Sequence, residues 1–329
     1  MKKLILLIPA LIVGSLHAND WKFSITLGVG SIDYEEDRFF TDEDNNLTGD
    51  QANLSDTYSP SIVGFGYGNG THTFGYKVTS ASSSEFDYES SIEPRYNRTV
   101  SLRERDYEET TISYQYRINS SWTLGVAYND KENDYLVTGF NTYDIPSWES
   151  FLAAGETAGY RWDDVANYTY TQDGFAVYGT WQTLLTDKWV FAAKVGVSQT
   201  DLDGGTVEVQ TISGIPAALD SVFINSAGES PGVNGSTITY RTKDQGDSTT
   251  IYGGVSLVRI FPGAPNHQII FSIDGRTDDL GGSSEYLDSG VGTGYFTSSG
   301  DDVENTPPSE TAQIEEYNLK YTLEYKYTF

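Results

Sequence analysis

The stretch Tyr317–Phe329 reads Y-N-L-K-Y-T-L-E-Y-K-Y-T-F, and its parity decides how the rest of the chain is read. Tyr317, Leu319, Tyr321, Leu323, Tyr325, Tyr327 and Phe329 share one parity, and Asn318, Lys320, Thr322, Glu324, Lys326 and Thr328 share the other. Successive side chains of a strand point to opposite faces, so this period of two describes a strand with one aromatic face and one wet face. Trp21, Phe23, Ile25, Leu27 and Val29, alternating with Lys22, Ser24, Thr26, Gly28 and Gly30, repeat the pattern near the other end of the chain.

Eight further segments carry the same alternation. Ser61–Tyr67 and Thr73–Thr79 flank Gly68-Asn69-Gly70, a tight-turn signal. Ile112–Arg117 and Trp122–Tyr128 flank Asn119-Ser120; Phe175–Trp181 and Trp189–Val197 flank Thr186-Asp187-Lys188; Ile251–Leu257 and Gln268–Asp274 flank Pro262, Gly263 and Pro265. The long connections, roughly 31–57, 80–107, 130–168, 199–247 and 277–312, alternate strictly with these short ones. Ten strands, an even number, can close antiparallel with the first against the last. A twelve-strand reading would add Thr206–Ile212 and Ser236–Thr242, but their connection would exceed twenty residues on the short-turn side, so they are expected as a hairpin above the others.

Length and composition bound the rest. Lys2 and Lys3, the apolar run Leu4–Val13 and the small residues up to Ala18 form a secretory signal, residues 1–18, leaving 19–329 as the barrel. Loss of Lys2 and Lys3 takes the formal charge from −27 to −29. That charge excludes nucleic acid as a partner, because binding it needs clustered Lys and Arg. With no Cys there is no disulfide and no thiolate site, and no cofactor is expected. Beyond the signal no apolar run approaches the roughly 20 residues of a membrane helix. A closed barrel needs only alternate apolar residues, because it pairs its backbone groups between strands.

A final strand ending on an aromatic residue, here Tyr325, Tyr327 and Phe329, resembles the closing strand of bacterial outer-membrane β-barrels. The short and long connections also resemble the periplasmic turns and extracellular loops of that family. The resemblance implies an all-β, transmembrane, antiparallel up-and-down barrel with termini periplasmic and long loops extracellular. It also implies outer-membrane lipid, lipopolysaccharide and the barrel assembly machinery as partners, the last reading Tyr325, Tyr327 and Phe329 as an assembly signal. A soluble antiparallel sandwich also alternates, but Trp and Tyr recur here at strand ends and the loops lengthen on one side only.

No catalytic set is expected. Once His17 leaves with the signal, His72 and His267 remain, both at short turns, where turn backbone or water is their expected partner. Omptin proteases, another ten-stranded family, use acidic residues and a His at the extracellular mouth, so the resemblance to them stops at strand number. The phospholipase alternative needs Ser beside His, and no motif marks such a Ser. Parity places Lys77, Lys194, Asp274, Lys320 and Glu324 in the lumen at similar heights, with Asp274 and Lys320 expected to pair across neighbouring strands. They read either as an ion-pair plug or as a constriction selecting small solutes by charge. Asp42-x-Asp44-x-Asn46 resembles the opening of a calcium loop, but Leu47 stands where Gly is needed and Asn53 where Glu is needed, so divalent cations are expected there only as a loose atmosphere. Asp144–Gly155 carries start and stop signals for a short helix, and Ile215–Phe223 forms a similar run; the two are expected to bring their loops together. A narrow porin-like channel is the first functional expectation. A surface binding or adhesion protein follows, and a barrel enzyme comes last.

Overall fold

The computed structural model describes residues 21–41, 47–83, 87–90, 97–223, 232–293 and 310–329. The signal segment, and Asp42, Asp44 and Asn46, lie outside the described residues. Twelve strands form one sheet: β1 (Lys22–Thr41), β2 (Leu47–Tyr58), β3 (Ser61–Gly68), β4 (His72–Ser83), β5 (Asp87–Ser90), β6 (Asn97–Arg117), β7 (Trp122–Asp144), β8 (Gly159–Thr186), β9 (Trp189–Ser213), β10 (Thr237–Ile260), β11 (His267–Thr293) and β12 (Glu310–Thr328).

Two pairs of these strands are single walls of the barrel, so the twelve make ten staves. β3 pairs with the lower part of β1 and β2 with its upper part, while β4 pairs with β3 and β5 with β2. Ser59 and Pro60 interrupt the first wall, since proline has no N–H for the ladder; the Pro60 carbonyl still accepts from Gly30 N at 3.2 Å. β12 pairs with β1 from Ser24↔Thr328 to Thr41↔Thr311, closing the sheet on itself. Phe329 N donates to Phe23 O at 2.8 Å, so the pairing reaches the last residue. Closure removes the free edges of the first and last strands, and among the described residues no second sheet lies over the outer face.

The stretches expected as long loops are built mostly as strand. β7, β8 and β9 have 23, 28 and 25 residues, more than twice the roughly 9–11 that a membrane-spanning strand needs. Thr206–Ile212 and Ser236–Thr242 belong to this upper wall, with Thr211 opposite Thr237 at its top. Leu47 and Asn53 sit in β2, paired with Thr41 and Asp37. Above the belt neither face is uniformly apolar, and the hydrophobic alternation that marks a strand by sequence is lost there while the ladder continues.

The outer face of the lower half is an apolar belt. Leu27, Val29, Val126, Val177, Val195, Val197, Ile251, Phe271 and Leu323 are exposed there, and Phe175 reaches 71%. A contiguous apolar surface around the whole barrel needs an apolar cover, which lipid supplies. Trp122, Trp181, Tyr116, Tyr325 and Phe329 rim its short-turn edge. At its other edge the outward residues turn acidic within one or two pleats: Asp130, Asp173, Asp201 and Asp247 lie directly opposite one another on β7 to β10.

At the far end the third and fourth connections dock together. A 3₁₀ turn, Pro146–Phe151, opens on proline where the N–H would be unused, and Gly155 ends the segment at φ 94°. It faces α1 (Ala217–Asp220), and Ile212, Ile215 and Val233 form a core covered by Trp148, Trp162 and Phe223. Trp148 and Phe223 meet edge-on at 6.1 Å, so the two loops do close on one another as their apolar runs imply.

Candidate functional site

The lumen at belt height is crossed by ion pairs that skip over intervening strands. Lys77 Nζ on β4 lies 2.5 Å from Glu324 Oε1 on β12, with β3 and β1 between them. Lys194 Nζ on β9 meets Asp274 Oδ1 on β11 at 2.8 Å across β10. Lys320 Nζ reaches from β12 across the lumen to β6, 3.4 Å from Glu109 Oε2, and donates to Thr79 Oγ1 at 3.0 Å. Asp274 and Lys320 are register partners as expected, yet each joins a more distant residue instead. In a ten-stave barrel the inner wall curves enough that a long Lys side chain spans a chord more easily than it folds back onto its neighbour.

Glycine makes room for two of these chords. Gly254 is the register partner of both Lys194 and Asp274, and a Cβ there would collide with Asp274 Oδ1. Gly28 stands beside Glu324, and a Cβ would come 2.7 Å from its Cγ. Gly64 is likewise the register partner of Lys77.

Between the chords lies a cavity of about 280 Å³ whose lining includes Lys77, Glu109, Lys194, Asp274, Arg276 and Lys320. Tyr178 and Tyr252 close part of its wall, with Gln115 Nε2 donating to Tyr178 Oη at 3.0 Å. Above it, toward the long connections, a buried layer of β1, β2, β6 and β7 residues reaches into the lumen around Arg105, which is 3% exposed. The Arg105 guanidinium lies 3.7 Å from the ring centre of Tyr34, 4.8 Å from Tyr58 and 5.0 Å from Tyr135. Its Nη2 donates to Asn133 Oδ1 at 2.9 Å, and Tyr34 Oη and Tyr135 Oη share a hydrogen bond of 3.0 Å between walls four strands apart. Arg105, Tyr107 and Glu109 continue the lumen parity of Ser113 and Gln115, so extending that parity upward along β6 would have found them.

The two histidines sit at the short-turn rim, each with a tyrosine as partner where turn backbone or water was expected. His72 Nδ1 is 2.8 Å from Tyr114 Oη, and His267 Nδ1 is 2.5 Å from Tyr325 Oη. Glu156, in the third connection, accepts from Ala217 N at 2.9 Å and from Ala153 N at 2.7 Å. Those two backbone donors, Ala217 first, hold its carboxyl below the usual glutamate pKa.

The chain matches no protein-family model and no curated protein. Among solved structures it is similar to the outer membrane protease OmpT of Escherichia coli, with 11% identity, a TM-score of 0.51 and coverage of 94% of this chain and 97% of that one. It is more distantly similar to a FadL homologue of Pseudomonas aeruginosa, with 9% identity, TM-score 0.33 and coverage of 94% and 90%. The toluene transporter TbuX of Ralstonia pickettii stands at 12%, 0.32, 95% and 90%. These likenesses bear on fold alone. Closure, belt and strand order make this a β-barrel of the bacterial outer-membrane type. Within that class the chain is a narrow ten-stave barrel whose lumen is bridged by ion pairs.

Proposed function

We propose that the barrel is a narrow outer-membrane channel for small solutes, shut at rest, with short turns periplasmic and long connections extracellular. The observation that carries this reading is the charged cavity of about 280 Å³ at belt height beneath the Arg105 layer. A lumen serving only as filler would be closed most cheaply with apolar side chains, because buried ion pairs rarely stabilise more than well-packed hydrophobic residues. Charges of both signs around a water-sized space instead give a permeating ion alternative partners, as charged constrictions do in channels. Lys77, Lys194, Asp274, Lys320 and Glu324 would form the constriction and Arg105 its gate.

Planar bilayers containing the purified barrel test this. Discrete openings are expected, with the reversal potential in a salt gradient moving toward cation preference in Lys320→Gln and toward anion preference in Glu324→Gln. Silence across voltages and in both variants would sink the channel.

A surface-binding role is the second reading, favoured by the preformed core of Ile212, Ile215 and Val233 beneath the docked third and fourth connections. It predicts that trimming those connections abolishes adherence to a host or cell surface while the barrel stays folded. In either case lipid and lipopolysaccharide would surround the belt. The assembly machinery would read Tyr325, Tyr327 and Phe329.

A further inference from the structure

In a chain of formal charge −27, the short-turn end carries the opposite sign. Among the described residues of its turns and strand ends, Lys22, Arg117 and Lys326 on the lumen parity, Lys188 in a turn and Arg259 on the outer face stand against a single acidic side chain, Asp187. At belt height Lys77, Lys194 and Lys320 are all paired, whereas none of these five makes an ion pair or a hydrogen bond through its side chain among the described residues. Arg259 lies on the outward face at the belt's edge, its guanidinium 4.8 Å from the ring centre of Trp189. Stacking on an aromatic ring fixes the guanidinium plane and leaves its N–H edge to donate elsewhere.

Beside Arg259 the outer surface is recessed. At the closing seam Ile25 and Leu27 of β1, Tyr325 and Tyr327 of β12, and His267 line an apolar hollow of about 400 Å³. Leu27, Tyr325, Ile269 and Arg259 form one row across β1, β12, β11 and β10, which puts Arg259 two strands, or about 10 Å, from Tyr325. His267 stands one pleat nearer the turns on β11. With Nδ1 held by Tyr325 Oη, its Nε2 remains for a ligand.

We propose that this rim binds anionic phospholipid and has one defined seat: an acyl chain in the seam hollow, with the phosphate on Arg259 and His267. The hollow lies within the belt, so its occupant comes from the bilayer. Unpaired cations at the headgroup level select for phosphate without an accompanying ammonium, since a zwitterionic head brings a positive group against a positive rim. The seat requires only that the belt lies in lipid. Calling its leaflet periplasmic rests on the orientation proposed above.

The test is native mass spectrometry of the intact barrel released from nanodiscs of equal phosphatidylglycerol and phosphatidylcholine. The variants are Arg259→Gln, Arg259→Gln with His267→Gln, and Leu27→Trp, which fills the hollow without changing charge. Heat-modifiable mobility on gels shows that each is folded. The wild type should retain phosphatidylglycerol over phosphatidylcholine, Arg259→Gln should lower that retention about five-fold, and the double and Leu27→Trp variants should lower it further. Equal retention of the two lipids, retention unchanged in the folded variants, or a seam occupied by a second barrel would each overturn the proposal. A silent bilayer recording would not touch it, so the two readings fail separately.

Discussion

Replacing Arg105 by Ala tests the gate assigned to it in the proposed channel. Three aromatic rings lie within 5.0 Å of the guanidinium, and a hydrogen bond ties it to Asn133. A desolvated cation–π contact contributes about 2 kcal/mol, and a second and third ring sharing the same cation add less than that each, because they compete for one charge. Against this stands the cost of burying the guanidinium, which the Ala variant recovers. A net loss of about 2 kcal/mol from the closed arrangement is a fair balance, and if Arg105 is swung aside in the open one, the open population rises roughly thirty-fold. Single-channel recording reads that ratio directly as open probability. Arg105→Lys keeps the charge but loses the planar stacking, so it should fall between wild type and Ala. If both variants fold, shown by heat-modifiable mobility, and open no more often than wild type, the Arg105 layer is not the gate.

Three further outcomes follow from particular contacts. Gly254→Val should break the Lys194–Asp274 pair and lower the unfolding temperature, costing about 2–4 kcal/mol by overpacking and a stranded charge, whereas Gly263→Ala, with nothing near its Cβ, should be neutral in the same melt. Asp201→Asn should stabilise the barrel by about 0.5 kcal/mol, because Asp201 faces Asp173 and Asp247 directly, and the gain should shrink in high salt. Glu156 has a folded pKa lowered by its two backbone donors, so its contribution is present above the ordinary glutamate pKa and disappears as the pH falls through the lowered one. The hydrogen-exchange protection factors of residues 145–158, taken relative to the intrinsic rate at each pH, should therefore fall at low pH in the wild type and show no such step in Glu156→Gln.

The lower half of the barrel was legible because lipid imposes a rule on alternate residues. Every belt strand, from Phe23–Val29 to Tyr317–Phe329, carries that rule openly, and the pairing of first with last follows from it. Above the belt water replaces lipid and the rule lapses. Glu104–Glu109 and Asn129–Asp134 are polar on both parities, yet they pair without interruption, and only their neighbours' ladder makes them strand. The docking of Trp148 on Phe223 was readable for the opposite reason: apolar residues in otherwise polar connections have few other places to go.

The lumen contacts resist such reading, because parity says which residues face inward but not which will meet. Asp274 and Lys320 illustrate it: adjacency in the sheet favours their pairing, and curvature sends each elsewhere. What the sequence does carry is glycine. Gly28, Gly64 and Gly254 sit on the lumen parity of otherwise side-chain-bearing strands, where an absent side chain weakens the strand unless something crosses the space it leaves. In each case what crosses, or flanks the gap, is a charged side chain of a neighbouring stave. A lumen-facing glycine flanked in register by charges is thus a mark of a chord, and the three marks account for two of the crossings, Lys77–Glu324 and Lys194–Asp274, while Lys320–Glu109 carries none.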